Sequence, residues 1–325
     1  MKDLSWGSHS RCVPDAPLGD LPIVCEQTWD KHRDVHARWL DFFRTLKPPF
    51  QRVLHVESEE KGMKIHLPRF IGVDGRDLVH ALESTGRVLP LDVWLKLALV
   101  WGEALLQVPE GNDGWKTSAD LGQLGVDVRG ELVLTFDEPN HVVGRNWIDP
   151  DSLTKAGPSR RIPESISPEH ARGLPIAEAS RVYSLAISML GFLEGRRQFG
   201  EQESMLARVV AIAMDGLKWG TPRHPDLNPA LEKVMRQATL RELTERTQSL
   251  PEFLAALKDT AGVAPASEKR MIDVLLGISP EMQTCLEKLE PEWLPVSWRE
   301  GGIQVMQDRL LERLVPVTAL PLARV

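Results

Sequence analysis

A long run of apolar residues after Leu89-Pro90-Leu91 is the clearest hydrophobic pattern along the chain. Apolar side chains recur there at helical spacing, and the stripe consists of Leu95, Ala98, Leu99, Gly102, Leu105 and Leu106. Because such a stripe marks the face that a helix buries, the pattern predicts a buried helix over residues 94–108.

The carboxy-terminal part of the chain alternates short amphipathic runs with helix-breaking residues. Residues 251–257 predict a helix, and residues 260–267 predict a short linker because Gly and Pro interrupt the pattern. Three further helices are predicted, at 268–276, 280–289 and 303–314. The apolar stripe of the last helix must be buried, and we expect it to pack on the rest of the protein. The alternative is burial against a partner protein.

Composition narrows the class of protein. The 325 residues are 42% hydrophobic, which is enough for a large core. The net charge is −7 and charges of both signs are well mixed, which argues against a nucleic-acid or membrane-binding patch. Three cysteines without C-x-x-C spacing predict reduced thiols, with neither a disulfide framework nor a zinc site. No signal peptide or run of 18 apolar residues stands in the sequence, so we expect a cytoplasmic protein.

A series of short motifs follows in order from residue 165 onward. They are Ser167-Pro168-Glu169-His170-Ala171-Arg172-Gly173, Ser180-Arg181-Val182-Tyr183-Ser184-Leu185, Leu193-Glu194-Gly195-Arg196-Arg197-Gln198-Phe199, and Pro225 to Glu232 with Glu245-Arg246. In this order and spacing they resemble the second half of the bacterial Hanks-type serine/threonine protein kinases. The resemblance covers about residues 13–258 and is strongest from residue 165 on.

The resemblance implies an α+β, protein-kinase-like bilobal fold with a reduced amino-terminal lobe, a mainly helical carboxy-terminal lobe and a helical extension. The corresponding domain boundaries are 1–85, 86–260 and 261–325. It also implies that Glu169 and Arg246 form the ion pair that ties the activation segment to the last helices of the lobe. Such a pair is an element of the fold and carries no chemistry.

The same alignment indicates that the residues of phosphate transfer have been replaced. Cys25 stands at the position of the phosphate-holding lysine, Phe42 at the glutamate that pairs with it, and Ser5 to Ser10 replaces the glycine-rich loop with one glycine. Without gaps, the catalytic triplet falls on Lys116-Thr117-Ser118 and the metal-binding asparagine on Gln123. We therefore predict a pseudokinase that is not an enzyme, with no catalytic, cofactor or metal residues and no ATP-Mg binding.

Two aspartates keep an alternative open. With a gap, Asp120 falls on the catalytic aspartate, although an N-cap or loop role is favoured because Asp is common there. Asp137 falls near the magnesium-binding aspartate, or is simply the polar end of a strand. An atypical active kinase would use both, with Lys116 or Lys64 in place of the lysine.

Arg181 replaces the aspartate that holds the backbone of the catalytic loop in the family. A guanidinium has five donors and no acceptor, so the resemblance predicts that Arg181 cannot hold that loop. The alternatives are that Arg181 points outward or that it pairs with an acid such as Asp137.

The predicted function is regulation or scaffolding in bacterial signalling through protein–protein interaction. The expected partner is a kinase, a kinase substrate or another signalling component, without nucleic acid or membrane. Besides the atypical active kinase, the alternative is a structural component of a larger assembly.

Overall fold

The structure is a computed structural model that describes residues 10–13, 24–30, 45–50, 55–59, 62–68, 72–108, 119–127, 130–134, 165–199 and 205–278. The helices predicted at 280–289 and 303–314 lie outside the described residues.

Four strands form the first antiparallel sheet. They are β1 (Ser10–Val13), β2 (Val24–Asp30), β3 (His55–Glu59) and β4 (Gly62–Pro68). The order across the sheet is β1-β2-β4-β3, so β2 and β4 are central. All neighbours are antiparallel, and sequence neighbours pair in two hairpins, β1 with β2 and β3 with β4.

Three shorter strands form the second sheet, in the order β5 (Gly72–Asp74), β6 (Leu124–Asp127) and β7 (Leu132–Leu134). All pairs are antiparallel. The connection between β6 and β7 contains Gly130 at a φ of +80°, a backbone conformation that glycine adopts without steric cost. This sheet lies next to the helices and contributes Val126, Leu132 and Leu134 to the core.

A short segment, residues 45–50, joins the second sheet to the helices. The Leu134 amide donates to the carbonyl oxygen of Pro49 at 2.8 Å, and Phe50 forms a parallel bridge with Leu134. The Lys47 amide donates to Oε1 of Gln107 at 2.9 Å.

The helices make up most of the described body. They are α1 (Gly75–Thr85), α2 (Leu91–Leu105), α3 (Pro168–Ala171), α4 (Glu178–Glu194), α5 (Met205–Val210), α6 (Pro229–Ala238), α7 (Leu250–Thr260) and α8 (Glu268–Ile278). A 3-10 turn at Leu121–Gln123 precedes β6, a π-helical turn at Ala211–Asp215 follows α5, and a second 3-10 turn, Leu243–Glu245, precedes α7.

Helix α4 is the centre of the core. Its residues from Ala179 to Glu194 are all buried, and it packs against α1, α2, α6 and α7. The indole Nε1 of Trp94 on α2 donates to the Met189 carbonyl oxygen at 2.8 Å, which gives this buried polar group a partner. The helix predicted over 94–108 is α2, which begins three residues earlier and ends at Leu105. Its buried face confirms the apolar stripe except for Leu106, which follows the helix and is 44% exposed.

The helices begin and end where the sequence provides capping groups. Asn228 and Ser249 accept hydrogen bonds from the first turns of α6 and α7, each followed by a proline within the first turn. Helices α1 and α4 end at Gly86 and Gly195, both left-handed. These local signals fix the helix boundaries.

Helix α8 covers the helix predicted over 268–276 and packs on α1 and α2. Its buried apolar side chains are Met271, Val274, Leu275 and Ile278. The first helix after residue 260 is therefore part of the same body.

The mixture of helices with small antiparallel sheets agrees with the predicted α+β class. Within the part of the chain that the structure describes, no helix is long and apolar enough to cross a membrane.

We predict that Gly195→Ala destabilises the protein more than Gly86→Ala. Both glycines are left-handed, with φ of +61° and +63°, so alanine costs about 1 to 2 kcal/mol at either. An added Cβ at Gly195 would lie 2.0 Å from the carbonyl oxygen of Arg87, whereas nothing lies within 4 Å of one at Gly86.

The extra crowding should lower the free energy of unfolding of Gly195→Ala by about a further 1 to 3 kcal/mol, measured by urea denaturation. Equal losses in the two variants would contradict the close contact between the end of α4 and the chain after α1.

Candidate functional site

A buried ion pair joins Glu169 and Arg246, as the resemblance implied. Glu169 Oε1 lies 2.8 Å from Nη1 of Arg246, and Oε2 lies 2.7 Å from Nη2, so the pair is bidentate. Their side chains are 3% and 0% exposed. Ser167 starts the helical turn that carries Glu169, because its hydroxyl accepts from the His170 amide.

The Arg246 guanidinium has an acceptor for each of its five N–H groups. Besides Glu169 it donates to backbone carbonyl oxygens of Leu240, Arg241 and Ala179, and it lies 4.8 Å above the Tyr183 ring. A buried charge is tolerated when it is fully paired in this way. Burial alone would raise the pKa of Glu169, but the hydrogen bonds and charge of Arg246 hold that pKa below its ordinary value.

Two neighbouring groups are kept neutral by burial. Desolvation lowers the pKa of His170 to about 4, although the adjacent Glu169 charge opposes the shift. Desolvation also raises the pKa of Tyr183, with the Arg246 charge acting in the opposite direction. Both side chains next to the ion pair, His170 and Tyr183, are therefore neutral at physiological pH.

Arg181 is buried on α4 and donates to the carbonyl oxygen of Leu105, at the carboxy-terminal end of α2. The end of a helix carries partial negative charge, which favours a guanidinium there. The alternative that Arg181 points outward is wrong, and the alternative pairing with Asp137 lies outside the described residues. Arg181 supports the end of α2.

Two serines on the same side of α4 act similarly. The Ser184 hydroxyl donates to the Ser165 carbonyl oxygen at 2.6 Å, and the Ser188 hydroxyl donates to the Ala119 carbonyl oxygen. Positions 181, 184 and 188 share one face of the helix. This polar stripe of α4 therefore holds three chain segments by their backbone carbonyls. Sequence analysis missed it, although its signal was three polar residues at helical spacing in an otherwise apolar helix.

Asp120 lies at the start of the 3-10 turn and is buried. Its Oδ1 accepts from the Gly122 amide at 2.8 Å and forms an ion pair with Arg76 of α1. Gln123 completes a capping box by accepting from the Asp120 amide at 3.3 Å. The favoured role of Asp120, an N-cap, is thus confirmed, and the Arg76 pair was missed because the two residues are 44 positions apart.

Asp74 is the second acid beside Arg76. It caps α1 by accepting from the Asp77 amide at 2.8 Å. Burial raises its pKa to about 6, partly opposed by the Asp77 amide and by the Arg76 charge. The amino-terminal end of α1 thus meets the Asp120 turn in a compact polar cluster, and an added Cβ at Gly75 would lie 2.6 Å from the Leu121 carbonyl oxygen.

The other residues that bear on phosphate transfer are only partly described. The backbone of Cys25 lies on β2, opposite Cys12 and Leu67, and Lys64 lies on β4, opposite Thr28 and Glu57. Phe42, Lys116, Thr117, Ser118 and Asp137 lie outside the described residues. In the described part of the chain, no three potential metal-binding side chains are grouped as a metal ion would require.

Three exposed apolar side chains lie on or next to the two segments that meet where α3 contacts the π-helical turn. Leu174, Val210 and Met214 are 49%, 50% and 61% exposed, and they are three of the five most exposed large apolar side chains in the described ranges. We call these three residues the α3–π surface. Arg172 beside it is also exposed.

Comparison with known proteins gives a kinase relative. The chain is 28% identical over 127 residues to the serine/threonine-protein kinase pkn3 of Myxococcus xanthus. The match covers 38% of this chain and 22% of the relative. No protein-family model matches the chain. The similarity indicates a kinase-like relationship.

The prediction that the chain is not an enzyme is wrong on this comparison, because the relative is named as a serine/threonine kinase. The prediction depended on aligned positions of charged residues. A charge at a site can come from any residue that lies near it in space, and alignment does not fix that location. The backbone of Lys64 lies on β4, the strand that pairs directly with the Cys25 strand β2, although the two residues are 39 positions apart in sequence.

We predict that Glu169→Gln lowers the free energy of unfolding by about 3 to 5 kcal/mol, because it leaves the Arg246 guanidinium buried without a counter-charge. The control is Glu103→Gln, which removes an exposed pair with Lys258 and should change stability by less than about 1 kcal/mol. Denaturant titration of both variants measures the difference.

The loss of stability caused by Glu169→Gln should become smaller as pH falls. The folded-state pKa of Glu169 is below its unfolded value, so its stabilisation is present above the unfolded pKa and is lost as pH falls through the folded pKa. The difference between wild type and Glu169→Gln should therefore shrink in acid. A difference that grows as pH falls would contradict the pair.

Proposed function

We propose that this chain is a kinase-like signalling protein with a bilobal fold, which acts by binding a protein partner through the α3–π surface. The first β-sheet would form the smaller lobe and the helical body the larger one. The motif order, the kinase relative and the Glu169–Arg246 contact support this proposal.

The observation that carries the proposal is that three exposed apolar side chains lie on or next to the two segments that meet at one contact. Leu174 follows α3, while Val210 and Met214 are four residues apart along the α5 and π-helical segment. Single exposed apolar residues are common on proteins, but a group of large ones is typical of an interaction site. Methionine is also adaptable in shape, which suits a surface that contacts a partner.

The buried ion pair holds this surface in place. Glu169 anchors α3 to Arg246, and α3 packs against the π-helical turn. From the other side, Nη1 of Arg241 donates to the Met214 carbonyl oxygen at 2.6 Å. A surface fixed before binding loses little conformational entropy on binding, and this favours affinity.

The proposed partner is a kinase, a kinase substrate or another signalling protein that offers an apolar side chain to the centre of the surface. Leu174 and Met214 would contact it, and Arg172 lies at the rim. Apolar side chains at the centre and charges at the rim are the usual arrangement of a protein interface.

We predict that a photo-crosslinking amino acid at Met214 forms a covalent adduct with a partner in the cells that make the protein. The control positions are Val263 and Leu106, which are 40% and 44% exposed and lie away from the α3–π surface in sequence. The adduct is identified by mass spectrometry, and Leu174→Asp in the same chain should abolish it.

Adducts of equal yield at all three positions, or none at Met214, would contradict the proposed surface. An adduct of the chain with a second copy of itself would favour the structural-component alternative over signalling.

The kinase relative favours a second candidate function, phosphate transfer. Asp120 would orient the substrate hydroxyl and Asp137 would hold magnesium. In the structure, Oδ1 of Asp120 is bonded to Arg76 and to the Gly122 amide, so this function requires the Arg76 pair to open or the second carboxylate oxygen to act.

If the chain transfers phosphate, millimolar ATP with Mg²⁺ should raise its melting temperature, because a ligand that binds the folded state stabilises it by mass action. Asp137→Ala should remove the magnesium-dependent part of the shift, and ATP should label a generic substrate. A shift that is unaffected by Asp137→Ala would contradict the assigned magnesium ligand, and the absence of any shift would contradict this candidate.

A further inference from the structure

Helix α8 contacts α1, one of the two elements that meet in the Asp120 cluster, and two other parts of the body. It packs on α1 and α2, and its first turn lies against the connection between β6 and β7. Met271 and Leu275 are fully buried in these contacts, and Val274 and Ile278 nearly so.

Both ends of α8 are attached to the stretch that runs from the end of α1 into the first turn of α2. Before α8, the Ala266 amide donates to the Asp92 carbonyl oxygen at 2.9 Å, and Nε of Arg270 lies 3.1 Å from Oδ2 of Asp92. At its far end, Nη1 of Arg87 donates to the Gly277 carbonyl oxygen at 2.8 Å. A cation at a helix carboxy-terminus is favourable, so Arg87 also stabilises α8.

Gly130 brings the β6–β7 connection against α8. A Cβ at this position would lie 2.7 Å from the Glu268 carbonyl oxygen and 2.8 Å from Cγ1 of Ile272. The backbone therefore approaches α8 more closely than any residue with a side chain allows.

The two halves of the Arg76–Asp120 pair lie on elements that α8 reaches in different ways: α8 packs directly on α1, and it meets β6 through the β6–β7 connection at Gly130. Arg76 lies in the first turn of α1, and Asp120 caps the 3-10 turn that runs directly into β6. Helix α1 also contacts the 3-10 turn and β6. A displacement of α8 would therefore remove support from both partners of the pair together.

We propose that α8 is an internal strap that sets the position of the Arg76–Asp120 pair. Release of α8 loosens the 119–127 segment and the start of α1, while α6 and α7 stay folded. Any partner or modification that detaches α8 would thereby control the conformation of Asp120. This inference does not depend on the proposed function, because it concerns contacts within the chain alone.

The test is hydrogen–deuterium exchange of the full chain, comparing wild type with Leu275→Ala. The truncation weakens α8, and we expect the amides of 119–127 and of 72–85 to exchange on the order of tenfold faster, with 229–260 unchanged. The matched control is Leu231→Ala on α6, a leucine that is equally buried and packs in the part of the core formed by α4, α6 and α7.

Two further variants change contacts of α8 without truncating an apolar side chain of the core. Arg87→Gln removes only the bond to Gly277, and should accelerate exchange in the same segments by a smaller factor. Gly130→Ala crowds α8 at a φ of +80°, whereas Gly262→Ala has a similar φ of +70° and its added Cβ would lie 3.9 Å from the nearest side chain. Only Gly130→Ala should accelerate exchange in both α8 and 119–127.

If Leu275→Ala and Arg87→Gln accelerate exchange only within residues 268–278, the proposal that α8 sets the position of the Arg76–Asp120 pair is wrong. The same would follow if Leu231→Ala accelerated 119–127 as strongly as Leu275→Ala, because the effect would then report global stability. If Leu275→Ala fails to fold, Arg87→Gln and the comparison of Gly130→Ala with Gly262→Ala still test whether α8 is a strap.

Discussion

The ion pair between Glu169 and Arg246 is the interaction on which the carboxy-terminal half of the body depends. It connects α3 to the chain before α7, across 77 residues, with every N–H of the guanidinium accepted by a carboxylate or carbonyl oxygen. Loss of either partner would leave a charge in an apolar region. The α3 turn that this pair anchors contacts the π-helical turn, so the placement of the α3–π surface depends on an ion pair that is hidden from solvent.

Helix α4 holds together chain segments that precede it in the sequence. Its apolar sides fill the core, and its stripe of Arg181, Ser184 and Ser188 binds backbone carbonyls of three separate segments. Backbone acceptors do not depend on side-chain identity, so the segments that α4 holds can change sequence without losing this support. The support that α4 gives to these three segments therefore places few demands on their sequences.

Sequence analysis predicted the elements that have strong local signals. Periodicity placed α2, α7 and α8, and the resemblance identified Glu169 with Arg246, because both lie in recognisable motifs. The partners of Arg181 and of Asp120 were not predictable, since a backbone carbonyl leaves no trace in sequence and Arg76 lies 44 positions from Asp120. The conclusion that the chain is not an enzyme failed for a related reason: it treated aligned positions as positions in space.

The burial of α4 has a consequence for biosynthesis. A helix covered on all sides has no face that water solvates well, and two of its neighbours, α6 and α7, are made after it. While the chain emerges from the ribosome, α4 must wait for about 65 more residues before those neighbours exist. During that interval its apolar side chains can be covered only by α1 and α2 or by a chaperone. A ribosome that stalls before Pro229 would release a chain whose fully buried helix lacks two of the four helices that cover it.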